Sequence, residues 1–263
     1  MLPVIIAIIL IFIVFYFFRN KKKADILSLP PLNIKQLLST HIPYYQKLDD
    51  ENKAVFEQKV VEFLSGITIE GVGTTVDDAD RIMIASSAVI PIFGFNDWKY
   101  RNLTNVILYP DTFDSEFQFE GENRSILGMV GTGYMNGQMI LSRAALLKGF
   151  GKSAGKENTA IHEFVHLLDK ADGATDGVPE NLLAHEYVLP WVKMIHREIN
   201  KIERGKSDIN PYAITNEAEF LAVVSEYFFQ KPDQLKHKHP ELYDMLSRIF
   251  SQDPAGGDDM LIS

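Results

Sequence analysis

The sequence predicts an α+β domain, a small mixed sheet followed by helices, preceded by one N-terminal transmembrane helix. Three observations lead there. Residues 2–18 form an apolar run without a charged side chain; strand and hairpin signals fall between residues 106 and 142; and two mostly apolar segments with helical spacing, 157–169 and 216–229, come after them.

Leu2 to Phe18 is 17 residues long and dominated by Ile, Val and Phe. As a helix it would reach roughly 25 Å, enough to span with some local thinning of the bilayer. Arg19, Lys21, Lys22 and Lys23 follow at once. There is no basic stretch before the apolar run and no small-residue cleavage site after it, so it reads as an uncleaved anchor. The positive-inside bias then places everything after residue 23 in the cytoplasm, at the inner membrane, in a single-pass arrangement.

Ala24 to Leu32, with Pro30-Pro31, reads as a linker, and residues 33–253 as the folded domain. Apolar residues at 54–56, 60–61 and 63–64 make Glu51–Leu64 a helix closed by Gly66. A second helix begins at Asp77 and stops before Pro91. Val106–Tyr109 is a strand ended by Pro110, and Asn136-Gly137 marks a hairpin between the apolar runs 126–130 and 138–142. Gln138–Ser142 is expected at a sheet edge, where a peptide could add as a further strand. Residues 254–263 read as a flexible tail.

The chain has 26 Lys and Arg against 35 Asp and Glu, and no cysteine. Without the four cations at 19–23, residues 24–263 carry 22 bases against 35 acids, a balance of −13. Such a body repels phosphate backbones, which argues against a nucleic-acid partner and leaves small molecules, peptides and proteins. Without Cys, any metal must be held by His and carboxylates.

His162-Glu163-Phe164-Val165-His166 is an H-E-x-x-H pattern flanked by uncharged Thr159-Ala160-Ile161 and Leu167-Leu168. On a helix the two histidines lie one turn apart on one face, where both ring nitrogens can reach one metal ion. Glu163 is one position round, close enough to take a proton from a water at that ion, the place of a general base. Asp169, three residues beyond His166, is either a partner that orients a ligand or a solvated surface acid.

A catalytic zinc site requires a third protein ligand. His185, His196, Glu217, Glu219 and Glu226 are the downstream candidates. The segment 216–229 is a second buried helix with Glu219 and Glu226 seven apart on one stripe, costly unless they meet a cation. Glu219 is the better ligand because it sits in the first turn; its alternative role is a capping box with Asn216. His185 and His196 belong to the polar side of a helix around Trp191. The stretch Gly149–Ala154 formally satisfies G-x-G-x-x-A, but it follows a helix rather than a strand and reads as a loop.

The string His162–Asp169, Pro211-Tyr212 to Glu219-Phe-Leu-Ala222, and Ser225–Phe229 together resemble the Mlc titration factor A family of zinc peptidases. Ile82–Phe95, Val106–Phe113 and Gln252-Asp253-Pro254 share that likeness, which runs from Tyr44 to Pro254. The resemblance implies a zincin-like metallopeptidase domain of gluzincin type, with a site similar to that of the anthrax lethal factor catalytic domain. It implies one Zn2+ on His162, His166 and Glu219, Glu163 as base, and Tyr212, seven residues before Glu219, assisting catalysis. It also implies a peptide or protein substrate, or alternatively the sequestration of a transcriptional repressor with little proteolysis.

Overall fold

In the computed structural model, residues 31–121, 124–131, 135–151, 153–256 and 261 are described. The expected membrane span 2–18, its basic flank and the linker up to residue 30 lie outside the described residues. Among those described, no helix is long and apolar enough to cross a membrane.

Helices α1 (Pro31–His41), α2 (Pro43–Gln46) and α3 (Asp50–Gly66) open the domain, so the last two positions of the expected linker already belong to α1. Strand β1 (Thr68–Gly71) follows, then helix α4 (Asp78–Ile92). The side chains of Asp77 and Asp80 cap the start of α4 reciprocally. Arg143 draws both acids together, contacting Asp80 at 2.9 Å and Asp77 at 2.8 Å. α4 runs through Pro91 instead of stopping before it. The proline has no N–H to bond the Ser87 carbonyl, and the helix ends one residue later.

β2 (Asn105–Tyr109), β3 (Gly128–Val130) and β4 (Gln138–Ser142) complete a four-stranded sheet in the order β1-β2-β4-β3. β1, β2 and β4 are parallel, and β3 is antiparallel to β4. The hairpin signal at Asn136-Gly137 therefore corresponds to a real β3–β4 pairing, with Gly137 at a φ of 88°. Two expectations change. β1 carried no sequence signal, since only Ile69 of its four residues is buried. β4 is an inner strand, not an edge, because β2 and β3 flank it; the edges of the sheet are β1 and β3.

The sheet reads out the two-residue period of its strands. Val106, Leu108, Met139 and Leu141 face the main core, whereas Tyr109 and Ile140 meet Phe113 in a smaller cluster on the opposite face. Against the main-core side lie α5 (Arg143–Phe150) and α6 (Thr159–Asp169). Beyond a short 3₁₀ turn (Lys170–Asp172), α7 (His185–Glu203) and a second 3₁₀ turn (Pro211–Ile214) lead into α8 (Glu217–Gln230), which packs along α6. α9 (Pro232–Lys238) and α10 (Pro240–Phe250) close the fold behind α8. This is a mixed α+β domain with a small sheet and many helices, as expected from the sequence. The expected tail is held at its start: Pro254 is buried, and the Ala255 N–H donates to the Tyr243 hydroxyl at 2.9 Å.

Candidate metal centre

α6 and α8 bring the candidate ligands together. Asn158 caps α6 through its side chain, which accepts the Ile161 N–H. With the start of α6 set there, His162 and His166 face α8 and their Nε2 atoms lie 3.1 Å apart. Asn216 caps α8 in the same way, accepting the Glu219 N–H at 2.9 Å. The capping box considered for this position is only half formed: the Glu219 side chain turns to the histidines instead. Its carboxylate oxygens lie 3.0 Å from His162 Nε2 and 3.5 Å from His166 Nε2.

Among the described residues, His162, His166 and Glu219 are the group whose donor atoms converge closely enough to share a metal ion, all within 4.8 Å. Two imidazole nitrogens bound tetrahedrally to zinc at ~2.0–2.1 Å stand roughly 3.3 Å apart, so the observed spacing fits zinc. The chemistry also fits. Two imidazole lone pairs facing each other at 3.1 Å repel unless a cation or proton lies between them. Burial disfavours a charged His162, yet hydrogen bonds to Glu219 and Glu226 and the nearby Glu163 raise its pKa well above the usual value. Glu219 is disfavoured by burial too, but the two histidines hold its pKa below the carboxylate range. Three carboxylates around two imidazoles form a site that demands positive charge.

Glu226, left open by the sequence, has a definite place. One oxygen lies 2.8 Å from His162 Nδ1, which directs Nε2 toward the centre, and the other accepts the Asn158 N–H. Asp169 is not a surface acid. It is fully buried and accepts the Gly177 N–H at 3.0 Å, tying down the loop after α6. Gly177 packs so closely under the Glu217 carbonyl that a Cβ there would lie 2.2 Å from its oxygen. The loop thus supports the first turn of α8, next to Glu219. His185 and His196 are exposed on α7, as expected, and His196 faces Glu217 at 3.7 Å, away from the centre.

Glu163 is 6% exposed and accepts no hydrogen bond from a described residue. Burial raises its pKa, partly offset by His162 and His166. A carboxyl group with a raised pKa and unengaged oxygens is suited to exchanging protons. Beside it runs β3: a Cβ on Gly128 would stand 2.8 Å from Glu163 Oε1. Sequence reasoning missed β3 as a wall of the site, although the glycine opening a short apolar strand was a signal for close approach. Tyr212, on the 3₁₀ turn before α8, is 54% exposed, with its ring 6.2 Å from that of His162. All of these residues line one open cleft of about 360 Å³.

The family described as glucose-regulated metallo-peptidase M90 matches residues 18–251. The chain belongs to this family. As a member of the M90 metallo-peptidases it is 29% identical over 237 residues to the uncharacterized protein slr2042 of Synechocystis sp., covering 86% of each chain. It is 28% identical over 181 residues to Mlc titration factor A of Pectobacterium atrosepticum, with 63% of this chain and 65% of that one covered. With Mlc titration factor A of Serratia proteamaculans the identity is 27% over 230 residues, 81% and 85% of the two chains. The family match begins at the end of the apolar N-terminal run and contains every residue of the cleft.

Proposed function

We propose that this M90 family member is a membrane-anchored, zinc-dependent peptidase that hydrolyses peptide bonds in the α6–α8 cleft. The carrying observation is the convergence of His162, His166 and Glu219 beside a buried, unbonded carboxylate, Glu163. Zinc held by those three residues would lower the pKa of a water and polarise a substrate carbonyl. Glu163 takes the proton from the attacking water and returns it to the leaving amine. Tyr212 donates a hydrogen bond to the carbonyl oxygen as negative charge develops on it. Glu226 keeps the His162 ring in the tautomer that presents Nε2. The substrate lies extended along the free edge of β3, using the backbone groups that β4 leaves unpaired. The apolar run 2–18 and the cations at 19–23 support an inner-membrane anchor with the peptidase domain facing the cytoplasm.

The name of two relatives, Mlc titration factor A, supports a second reading, in which the protein sequesters a transcriptional regulator and cleaves little. Substitution Glu163→Gln in the full-length chain separates the two. Peptide hydrolysis falls by about 10²–10⁴-fold, the usual worth of a general base, while zinc stays bound at one per chain. Hydrolysis that persists at the wild-type rate overturns the mechanism, and a wild type that cleaves nothing but retains a repressor favours the second reading. Loss of membrane association on deleting residues 2–18 tests the anchor; an unchanged distribution between membrane and supernatant overturns it.

A further inference from the structure

A second cavity of about 370 Å³ adjoins the metal cleft and shares Val130 and Lys170 with it. Its wall carries three cations, Lys99, Arg101 and Lys170, against one acid, Asp97. Lys99 is already paired with Glu62, and Asp97 lies within electrostatic reach of Lys59 and Lys99. Arg101 and Lys170 have no carboxylate partner among the described residues. The Lys170 ammonium, half-buried, makes only a 3.4 Å contact to the Gly131 carbonyl, at the end of β3. In a body with a balance of −13, two unmatched cations at one end of the substrate edge are a local exception that calls for an anion.

Distance along the strand says which part of a substrate arrives there. Gly128 lies against Glu163, and Gly131 meets Lys170. Three residues of strand are roughly 10 Å, and an extended peptide advances by the same rise. A group two or three residues from the scissile bond would therefore reach the cavity.

We propose that this cavity is a carboxylate-binding subsite, in which Arg101 and Lys170 select peptides carrying an acidic group two or three residues to one side of the scissile bond. The inference rests on the peptidase reading above. The carboxylate is either an Asp or Glu side chain or the substrate's own C-terminus.

The test uses full-length, zinc-loaded protein and peptide pairs that differ only by Glu or Gln at each position flanking the scissile bond, each made with a free and an amidated C-terminus. Wild type prefers the carboxylate at one position by about tenfold in kcat/KM, the scale of one charge-assisted hydrogen bond in a partly solvated site. The preference shrinks with added salt. It falls to near unity in the double variant Arg101→Gln with Lys170→Gln and inverts when Lys170 is replaced by Glu. A preference for Glu over Gln that is indifferent to amidation assigns the site to side chains, and a preference for the free over the amidated C-terminus assigns it to the C-terminus; both support the subsite. No preference in wild type, or one that survives the double variant, overturns it. If wild type cleaves no peptide, the same pairs are measured by binding to Glu163→Gln protein. Tighter binding of the carboxylate peptide then upholds the subsite while the hydrolytic reading fails, and equal binding overturns the subsite as well.

Discussion

His162 Nδ1 lies 2.8 Å from one carboxylate oxygen of Glu226, whose other oxygen holds the backbone N–H of Asn158. One acid on α8 thus sets both the orientation of the first histidine and the start of the helix that carries it. Such outer partners of metal-bound histidines are worth about 10–100-fold in metal affinity. Replacing Glu226 with Gln is expected to weaken zinc binding by that order, measured by competition with a chelator. An unchanged affinity would show that the His162 ring is held by packing alone.

Gly128 is the point where β3 comes closest to Glu163. A methyl group there would stand 2.7 Å from Glu163 Cγ and 2.9 Å from Thr159 Cγ2, so one side must move. Substitution Gly128→Ala is expected to lower kcat by at least tenfold and to cost about 1–3 kcal/mol of stability, the usual range for overpacking. Parallel turnover and thermal-melt measurements check this; wild-type turnover would mean that Glu163 can relax without loss.

Tyr212 is more than half exposed, so its removal should leave the fold intact. Its pKa is raised by partial burial and by Glu219 and Glu163, which keeps the hydroxyl protonated and able to donate. The Tyr212→Phe variant is expected to lose about 10²–10³-fold in kcat with KM and zinc content little altered, as for loss of an oxyanion donor. A change confined to KM would instead make Tyr212 a substrate-binding side chain.

Far from the cleft, Asp208 accepts hydrogen bonds from Lys156 at 2.6 Å, Lys238 at 2.8 Å, His239 at 2.7 Å and Tyr227 at 3.0 Å. Burial would raise its pKa, but these donors outweigh it and hold the carboxyl far below the ordinary range. A depressed pKa contributes stability that is complete above the unfolded value of about 4 and is lost as pH falls below it. His239 has a raised pKa, chiefly from the Glu198 carboxylate 3.7 Å away and then from Asp208, so its share is complete below about 6.5 and fades as pH rises through the folded value. Asp208→Asn is expected to cost about 2 kcal/mol near pH 6 and progressively less below pH 4. Denaturant melts across that range check the sign; a pH-independent loss would show that charge is not involved.

The candidate metal ligands on α6 were legible because they obey a local rule. A helix repeats every 3.6 residues, so H-E-x-x-H states its own geometry, whereas Glu219 was one of five candidates, preferred for its first-turn position and singled out by the resemblance. The helices from α3 to α8 were legible for the same reason, with caps at Asp77 and Asn216 in plain view; the Asn158 cap lies inside the segment expected to begin at 157. What failed was sheet order. Strand pairing joins residues distant in sequence, and a run such as Gln138–Ser142 looks the same at an edge or between two partners.

The amino-acid sequence by itself determined the acidic body, the cysteine-free ligand chemistry, the apolar N-terminal run and the two helices that carry the candidate metal-binding side chains. Only the tertiary structure decided that β3 is the edge beside Glu163, that Glu226 serves His162 rather than a second metal position, and that Asp169 anchors a loop instead of facing water. It also decided that Arg101 and Lys170 stand beside the cleft without a carboxylate partner among the described residues. The division follows from distance along the chain. Helical periodicity and composition act over a few residues, whereas a carboxylate's role depends on which group, tens of residues away, the fold places within 3 Å of it.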